Sequence, residues 1–493
     1  RPARLPGVAL MAAARLSARR RPGAPNLAPW ALSLLALSLG ACSGGDRPPD
    51  ASAADAGPRD ASADAGADAS PILSDPHSMP LEPTLSGASF TSSTVCGGCH
   101  STHYQEWQTS MHAYSMVDPV YRALVGLRQA EFDGAQDKFC LQCHSAIATR
   151  GGEIVPNFAF EELSPIAIEG ITCEACHKVS GMERSYNSGH ILDPDGPIRG
   201  PIMDPAASAH HESEYSPLFE SPQFCGGCHD VIEASGVPLE RPYDEWLESP
   251  ANPDGPTCQT CHMPTYRGVA AFGAPERDLH RHRFIGVDLP LSPTFIDPAE
   301  EAALAVEIRD LLGTAAALEL RADSRRAGER IDLLLSIRNL ISGHNLPTGS
   351  TFLRQTWVEV VVTDAAGITL YETGTLDANG DLRDHFSELE PYADADLISL
   401  GSRFVDARGE PTVLSWHAAE HVSNAIPPLQ ERTHTLFIPT AGDTLGPLTI
   451  RARLRFRTHP PFLLRLLGLD SLLDRVQTYD LASATLDVDL LGP

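Results

Sequence analysis

Five copies of one short pattern, Cys-x-x-Cys-His, constrain the fold of this chain more than any other feature. Ten of the eleven cysteines belong to the pattern, and all five copies lie between residues 90 and 284. Random placement of 11 Cys and 19 His among 493 residues would give about 0.01 copies, so chance does not explain the pattern. The copies are Cys96-Gly-Gly-Cys99-His100, Cys140-Leu-Gln-Cys143-His144, Cys173-Glu-Ala-Cys176-His177, Cys225-Gly-Gly-Cys228-His229 and Cys258-Gln-Thr-Cys261-His262.

In an exported chain, this spacing is the attachment site of a c-type haem. The two cysteines form thioether bonds to the porphyrin, and the histidine that follows supplies the proximal nitrogen ligand of the iron. Zinc sites, thioredoxin-like dithiols and disulfides are the alternatives for paired cysteines. None of them explains a histidine directly after every second cysteine. The sequence therefore predicts five covalent haems c, with proximal ligands His100, His144, His177, His229 and His262.

The N-terminal region has the features of an export signal. Arginines at 15 and 19–21 precede an apolar run at 30–39, which is too short to span a bilayer comfortably. We therefore predict a signal peptide at 1–41. The segment Leu39-Gly40-Ala41-Cys42 resembles the bacterial lipobox. This resemblance implies that Cys42 is acylated and that the exported protein is anchored in the periplasm or at the outer membrane. Ordinary signal cleavage near Ala41 is the alternative.

Composition separates a tether from the folded part and restricts the partners. Residues 42–88 include a low-complexity run of Asp, Ala, Ser and Gly, which cannot bury enough apolar surface to fold, so we expect a disordered tether. The formal net charge of −27 argues against nucleic acid and favours basic or positively patched partners. We expect these partners to be redox proteins of the periplasm or cell envelope.

Residues 89–290 are predicted to form a haem domain of short helices and long loops, without a large sheet, because roughly forty residues serve each porphyrin. One helix would place Glu106, Ser110 and Ala113 on one face and carry His112 toward a neighbouring haem. The segments Tyr104-Gln-Glu-Trp107-Gln-Thr-Ser110 and Tyr243-Asp-Glu-Trp246-Leu-Glu-Ser249 resemble each other, and each follows a Cys-Gly-Gly-Cys-His motif. This similarity predicts an internal duplication of a haem-binding unit.

The second half of the chain has a different pattern. A helical linker is expected at 291–313, with Asp297 as its N-cap and Gly313 at its end. From 314 to 493, runs of alternating apolar and polar residues predict an all-β sandwich of immunoglobulin-like outline. The predicted strands are Ala315–Arg321, Ile331–Arg338, Thr356–Thr363, Thr369–Glu372, Thr433–Ile438, Leu448–Phe456 and Ala484–Leu490, with a short helix at Pro461–Leu473.

The haem domain resembles the multihaem cytochromes c that include the tetrahaem electron carrier of nitrifying bacteria and octahaem hydroxylamine oxidoreductase. Besides the five motifs, the resemblance rests on Trp107-x-x-Ser110-x-His112, on Ser221-x-x-Phe224-Cys-Gly-Gly-Cys-His229-Asp230, and on Cys258-Gln-Thr-Cys261-His262-Met-Pro264. It implies closely stacked haem pairs, mostly with two histidine ligands. The chain departs from the carrier by its fifth motif, and it lacks the extra motifs of the octahaem enzymes. Neither catalytic assignment therefore carries over.

Each haem needs a sixth ligand if it is to be closed to substrates. The resemblance favours His112 and His282, while His190 lies in a glycine-bounded loop. His210 and His211 precede the fourth motif, and we expect one of the two to be a ligand. His344 lies in a Gly/Pro-bounded loop of the second half and is either a ligand from the β-domain or part of a structural turn. Rival methionine ligands are Met111, Met116, Met182 and Met203, while His385, His417, His421, His434 and His459 are expected at the surface.

These features predict a multihaem c-type cytochrome that transfers electrons along five mostly bis-histidine haems. The alternative is an oxidoreductase that acts on a small nitrogen or sulfur oxyanion at one haem with an open position. The number of spare histidines is large enough to fill every site, which favours the carrier. A binding or adhesion protein with purely structural haems ranks last, because it would leave five redox centres unused.

Overall fold

The computed structural model describes residues 84–491, which all belong to one compact unit. The predicted signal peptide at 1–41, Cys42 and nearly all of the predicted tether at 42–88 lie outside these residues. Within the described part of the chain, the helices are too short or too polar to cross a membrane.

The first half is built from short helices joined by long loops, as predicted. Its longest helix, α4, has 14 residues. The helices are α1 Ser93–Gly97, α2 Ser101–Trp107, α3 Met111–Tyr114, α4 Pro119–Phe132, α5 Lys138–His144, α6 Ala146–Arg150, α7 Pro165–Ile168, α8 Cys173–His177, α9 Pro222–Gly226, α10 Pro242–Leu247 and α11 Cys258–His262.

Each haem motif begins in a single helical turn, which places its two cysteines on the same side because residues three apart are neighbours on a helix. Hydroxyl side chains start these turns: Ser92 accepts a hydrogen bond from the backbone of Thr94, and Thr172 accepts one from Ala175. Helices α5, α8 and α11 end at the motif histidine. The local sequence therefore fixes the relative positions of sulfurs and imidazole within each motif.

The helix predicted through Glu106 and Ala113 is wrong in one respect, because the chain breaks at Ser110. The Ser110 hydroxyl donates to the carbonyl of Trp107 at 2.7 Å and accepts from the backbone N–H of Ala113 at 3.4 Å. It thus closes α2 and caps α3. A serine side chain competes with backbone hydrogen bonds, which is why it can end one helix and start the next.

Strands in the haem-domain region form only two-stranded ribbons within residues 84–290, in agreement with the expected absence of a large sheet. The ribbons pair β1 Val179–Met182 with β2 His190–Leu192, β3 Ile198–Gly200 with β4 Ser213–Tyr215, β5 Val231–Ile232 with β6 Pro238–Glu240, and β7 Thr265–Val269 with β8 Glu276–His280.

Helix α12, Pro298–Leu312, connects the two halves as predicted. The Asp297 carboxylate accepts hydrogen bonds from the backbone of Ala299 and Glu300, and Gly313 is the C-cap. Leu304, Ile308 and Leu312 are buried against the strands that follow.

The second half is rich in antiparallel strands, and all seven predicted strands are present within a few residues of their predicted bounds. Six short strands of two to six residues each were not predicted, namely Arg325–Arg326, Ile398–Leu400, Ser402–Asp406, Pro411–Thr412, Ala418–Ser423 and Leu490–Leu491. The strands are β9 Ala316–Arg321, β10 Arg325–Arg326, β11 Ile331–Asn339, β12 Gln355–Thr363, β13 Thr369–Thr373, β14 Ile398–Leu400, β15 Ser402–Asp406, β16 Pro411–Thr412, β17 Ala418–Ser423, β18 Glu431–Ile438, β19 Leu448–Arg457, β20 Tyr479–Val488 and β21 Leu490–Leu491, with helix α13 at Pro461–Leu466.

Two of the sheets share one apolar core. The first has the order β18-β11-β9, and the second has the order β13-β12-β19-β20 with β14 also paired to β12. Along β11, Ile331, Leu333, Leu335 and Ile337 are fully buried and alternate with more exposed residues. They belong to the same buried cluster as the apolar residues of β12 and β19. A third, small sheet, β16-β15-β17, packs through Phe404 against Val237 of the first half.

A buried ion pair also connects the two halves. The Arg128 guanidinium on α4 lies 3.0 Å from Glu233 Oε2, and the same oxygen accepts the hydroxyl of Ser415 at 3.1 Å. The Arg128 and Glu233 side chains are 3% and 2% exposed. This contact joins the haem-domain region to the strand-rich half next to Cys140.

Candidate haem-binding site

All five motifs open into one continuous cavity of about 2020 Å³. All ten motif cysteines and all five motif histidines line it, and so do the candidate ligands His112, His190, His210, His211, His282 and His344. The strand-rich half contributes part of the wall, including Phe352, Arg354 and His459. We number the sites 1 to 5 in the chain order of their motifs.

Four of the five motif histidines are oriented by a backbone carbonyl that accepts a hydrogen bond from Nδ1. The acceptors are Ala270 for His100 at 2.8 Å, Ser115 for His144 at 3.4 Å, Arg199 for His177 at 2.6 Å and Ile285 for His262 at 2.6 Å. Because Nδ1 is used in this way, the free lone pair is on Nε2, which is the arrangement found behind metal-ligating histidines. These four rings are therefore prepared to bind a metal through Nε2.

Four motif histidines face a second histidine ring across the cavity. The distances between ring centres are 6.2 Å for His100 and His211, 6.3 Å for His177 and His282, 6.2 Å for His229 and His112, and 6.5 Å for His262 and His344. The planes of the first, second and fourth pairs are within 26° of parallel.

This spacing fits an iron between the two rings. A metal–nitrogen bond of about 2 Å on each side, plus about 1 Å from each nitrogen to its ring centre, requires about 6 Å between ring centres. The donor sets at sites 1, 3, 4 and 5 therefore fit a haem held by two histidines.

Three of the facing histidines, His112, His282 and His344, are also in the protonation state that a metal ligand needs. Burial lowers the pKa of His112 to about 4, that of His344 to about 4 and that of His282 to about 3. All three rings are therefore neutral at pH 7, with a lone pair available for the iron. The structure thus places three ligand candidates from the haem domain, His112, His211 and His282, and one from the strand-rich half, His344, opposite motif histidines.

Site 2 has a different arrangement. Within the described residues, the ring contact of His144 is with Tyr121, whose ring lies parallel to it at 3.9 Å between centres and 10° between planes. The Tyr121 hydroxyl is buried without a hydrogen-bond partner among these residues. Tyr121 lies within a helix and belongs to no sequence motif, so nothing in the sequence marks it as a site residue.

Two ligand candidates from the sequence do not face a motif histidine. His190 lies in β2 rather than in a loop, and its Nε2 is 2.7 Å from the carbonyl oxygen of Phe224, so the nitrogen expected to bind iron is already used. His210 and His211 are both exposed, but only His211 faces a motif histidine, His100, among the described residues. Among the rival methionines, Met203 is 78% exposed and Met116 is buried in an apolar cluster with Leu141.

The expectation that His459 lies at the surface is wrong. His459 lines the cavity, and burial lowers its pKa. Its Nδ1 lies 3.0 Å from the Thr458 hydroxyl, at the end of β19. The error arose because a histidine at a strand end carries no sign of what the strand packs against.

Contacts between cysteines of different motifs show which sites are neighbours. The thiols of Cys96 and Cys173 contact each other, as do those of Cys225 and Cys258 and those of Cys143 and Cys228. All ten described cysteines are free of disulfides. Sites 1 and 3, sites 4 and 5, and sites 2 and 4 are therefore adjacent.

Comparison with known proteins identifies part of the first half. Residues 95–178, which contain the first three motifs, match the family described as cytochrome c554 and c-prime. No curated protein matches the chain.

A solved structure, a penta-haem cytochrome c552 from Thermochromatium tepidum, has a similar fold. The match has a TM-score of 0.57 and 21% sequence identity, and covers 81% of this chain and 99% of that chain. The sporulation control protein Spo0M from Bacillus subtilis matches over 36% of this chain and 49% of that chain, with 10% identity and a TM-score of 0.14. A CARDB domain from Pyrococcus furiosus matches over 36% of this chain and 86% of that chain, with 13% identity and a TM-score of 0.16. These last two similarities are too weak to support an argument.

Proposed function

Because the chain is a member of the multihaem cytochrome c family, we propose that it carries electrons along five covalently bound haems, most of them held by two histidines. The observation that carries this proposal is the facing of four motif histidines by a second imidazole at 6.2–6.5 Å. Paired ligands close both sides of an iron to substrates. A bound haem then supplies one-electron chemistry, while the chain positions it and tunes its potential.

The adjacency of the motifs suggests the path of the electrons. Sites 1 and 3 and sites 4 and 5 are joined by contacting cysteines, and the nearby Cys228 thiol adds to burial in raising the pKa of Cys176 to about 12. Site 3 therefore lies next to site 4. We propose a row in the order 1, 3, 4, 5, with site 2 attached as a branch to site 4.

Mass spectrometry and magnetic circular dichroism of the purified protein test this proposal together. We expect a mass increase of five haems and low-spin bis-histidine signals from at least four of them. Methionine ligation would raise the reduction potentials of the haems. Because the proposed ligands are histidines, we expect low reduction potentials. Bare, zinc-bound or cross-linked cysteines in native material would refute the proposal.

The second candidate function is an oxidoreductase that acts on a small nitrogen or sulfur oxyanion at site 2. It is favoured by the contact of His144 with Tyr121 in place of a second histidine. Three groups that can act as acid or base line the same cavity, namely Tyr114, Tyr121 and Asp118. Burial raises the pKa of Asp118 to about 6. A carboxyl group of that pKa can exchange protons near neutral pH.

Optical spectra separate the two functions. A protein whose haems are all low-spin and do not respond to nitrite, hydroxylamine or carbon monoxide is a carrier. A high-spin band that shifts with nitrite or hydroxylamine, together with consumption of that compound by the reduced protein, indicates the enzyme.

We further propose that the chain is exported and anchored to the outer membrane through a lipidated Cys42, with redox proteins of the cell envelope as partners. The lipobox-like sequence and the net charge of −27 support this. Metabolic labelling with a radioactive fatty acid should mark the wild type and not Cys42→Ala. Labelling of both forms, or of neither, would exclude this anchor.

For the strand-rich half, we propose an immunoglobulin-like sandwich that braces the haems and supplies a ligand to site 5. The two sheets that share one core and the position of His344 opposite His262 support this. An experimental structure of the holoprotein would test both points. A different strand connectivity would exclude the immunoglobulin-like fold.

A further inference from the structure

The two similar segments of the sequence make the same contacts at their starts. Each follows a Cys-Gly-Gly-Cys-His motif and contains Tyr-x-Glu-Trp-x-x-Ser. A Cβ atom on Gly97 would lie 2.6 Å from the Tyr104 ring, and one on Gly226 would lie 2.5 Å from the Tyr243 ring. Both tyrosines therefore pack directly on the backbone of their own motif, where only glycine leaves room. The duplication predicted from the sequence is thus a structural one.

The tryptophans of the two segments each hold a different motif. Trp107 Nε1 donates to the carbonyl of Ile171 at 2.7 Å, and Trp246 Nε1 donates to the carbonyl of Pro256 at 3.0 Å. Each acceptor lies two residues before the first cysteine of a motif, namely Cys173 of site 3 and Cys258 of site 5. The first segment therefore fixes the proximal side of site 3, and the second fixes that of site 5.

The neighbouring glutamates hold the opposite sides of the same two sites. Glu106 Oε2 accepts the backbone N–H of His282 at 2.7 Å, and Glu245 Oε2 accepts that of Asn345 at 3.1 Å. His282 faces His177 at site 3, and His344, next to Asn345, faces His262 at site 5. Adjacent residues on one helix thus contact both the residue two positions before a haem motif and the segment that carries the histidine facing that motif.

We infer that the Tyr-x-Glu-Trp segment is a ligand clamp for the site next to its own motif. In each segment, Trp fixes the proximal motif of that site and Glu fixes its distal histidine. The segment after motif 1 holds site 3, and the segment after motif 4 holds site 5. Glu106 and Glu245 are positioning residues for sites 3 and 5. The inference rests on the proposed ligation of these sites by His282 and His344. Glu106 is buried and Glu245 is half-buried. A carboxylate that accepts a backbone N–H in such a place holds that segment firmly, since charge-assisted hydrogen bonds are the strong ones.

The two clamps differ in their second donor. The Glu106 carboxylate also accepts a hydrogen bond from the Arg281 guanidinium at 2.5 Å, whereas the Glu245 carboxylate accepts one from the Thr348 hydroxyl at 2.5 Å. Gly343 helps at site 5, because a Cβ atom there would lie only 3.2 Å from the Trp246 side chain, so glycine lets the loop pack closely on it. In Glu245→Gln, the amide oxygen can still accept the hydrogen bonds that the carboxylate accepted. In Glu106→Gln, the neutral amide would leave the Arg281 guanidinium without its counter-charge. The clamp at site 5 should therefore tolerate glutamine better.

Carbon monoxide binding to the reduced full-length holoprotein tests the clamp, because only a haem that releases its distal ligand binds the gas. We expect Glu245→Ala to make one further haem, about a fifth of the total, bind carbon monoxide with about tenfold to hundredfold higher apparent affinity than in the wild type. His344→Ala should expose the same haem completely. Glu245→Gln should restore most of the wild-type behaviour, and Thr348→Val should have a smaller effect than Glu245→Ala.

The controls are Glu248→Ala and Gln105→Ala, two exposed residues of the same two segments, which should leave the spectra unchanged. Haem content and far-UV circular dichroism show whether each variant is assembled. If Glu245→Ala does not assemble, the Glu245→Gln, Thr348→Val and Glu106→Gln variants carry the test, with the largest effect expected at Glu106.

The outcomes separate this inference from the proposed ligation. If His344→Ala exposes a haem and Glu245→Ala does not, the clamp is refuted and the ligation remains. If His344→Ala exposes none, the ligation of site 5 is refuted as well. The double variant Glu245→Ala with His344→Ala should bind no more carbon monoxide than His344→Ala alone. If it binds more, Glu245 acts on another site, and the clamp is again refuted.

Discussion

Replacing Glu233 with alanine is expected to destabilise the protein by about 3–5 kcal/mol, because the change leaves a buried guanidinium without its counter-charge. The Arg128 and Glu233 side chains are only 3% and 2% exposed, so water cannot replace the lost carboxylate. The substitution also removes the acceptor of the Ser415 hydroxyl, which comes from the strand-rich half. The loss should therefore weaken the junction between the two halves.

Three further variants apportion this loss. Glu233→Gln keeps an oxygen acceptor but leaves the charge unpaired, so its cost should be lower than that of alanine and still above about 1 kcal/mol. The double change Arg128→Met with Glu233→Leu removes both charges and should fall within about 2 kcal/mol of the wild type. Glu319→Ala is the matched control. Glu319 pairs with Arg321 at 3.2 Å on the surface, with side chains 65% and 76% exposed, and its removal should cost less than about 0.5 kcal/mol.

Urea unfolding of the holoprotein, followed by far-UV circular dichroism, measures these differences. The relevant quantity is the shift in midpoint multiplied by the slope of the first transition, since two halves can unfold separately. If Glu233→Ala lowers stability no more than Glu319→Ala does, the Arg128 charge is being solvated in another way. That result would show that burial of the Arg128–Glu233 pair does not set the cost of removing Glu233.

The remaining predictions concern single groups around the cavity. His211→Ala should convert the haem of site 1 to a high-spin form, visible by magnetic circular dichroism, whereas His210→Ala should change nothing; equal effects would contradict the pairing of His211 with His100. Asp118→Asn should stabilise the protein by on the order of 3 kcal/mol at pH 8, because burial raises the Asp118 pKa from 3.8 to about 6. The stability that the protonated carboxyl group contributes is fully present below pH 4 and is lost as the pH rises through 6. The gain should vanish below pH 4 in urea unfolding, since asparagine also caps α4; a gain independent of pH would refute this reasoning. Tyr121→Phe should leave stability unchanged or slightly raised, because the buried hydroxyl has no partner among the described residues, and a loss above about 1 kcal/mol would show that it has one.

The features that the sequence predicted correctly are those set by short-range chemistry. The cysteine and histidine of each motif are joined by one helical turn, so their relation follows from spacing alone. Helix α12 was predicted because Asp297 and Gly313 mark its two ends. The strands β11 and β19 were predicted because apolar and polar residues alternate along them. Each of these signals lies within the element that it predicts.

The features that the sequence could not predict depend on which segments meet across the cavity. His211 faces a motif histidine more than one hundred residues before it, and the loop of His344 reaches site 5 from the other half of the chain. His190 was chosen because it follows a glycine, but glycine reports only backbone freedom and not what the next side chain meets. The break at Ser110 was signalled by a serine, whose tendency to cap helices was outweighed by the apolar pattern around it.

The second motif is the exception in both the sequence and the structure. Motif 1 with motif 3, and motif 4 with motif 5, form two equivalent pairs, since each pair shares contacting cysteines and a tryptophan that holds the later motif. Motif 2 belongs to neither pair. Its histidine is also the one motif histidine in residues 84–491 whose ring contact is a tyrosine. The similar segments after motifs 1 and 4 supply the proposed clamps at sites 3 and 5, and no such segment follows motif 2. In the proposed row, a haem at site 2 is a branch, so it could take up chemistry other than electron transfer without interrupting the path through sites 1, 3, 4 and 5.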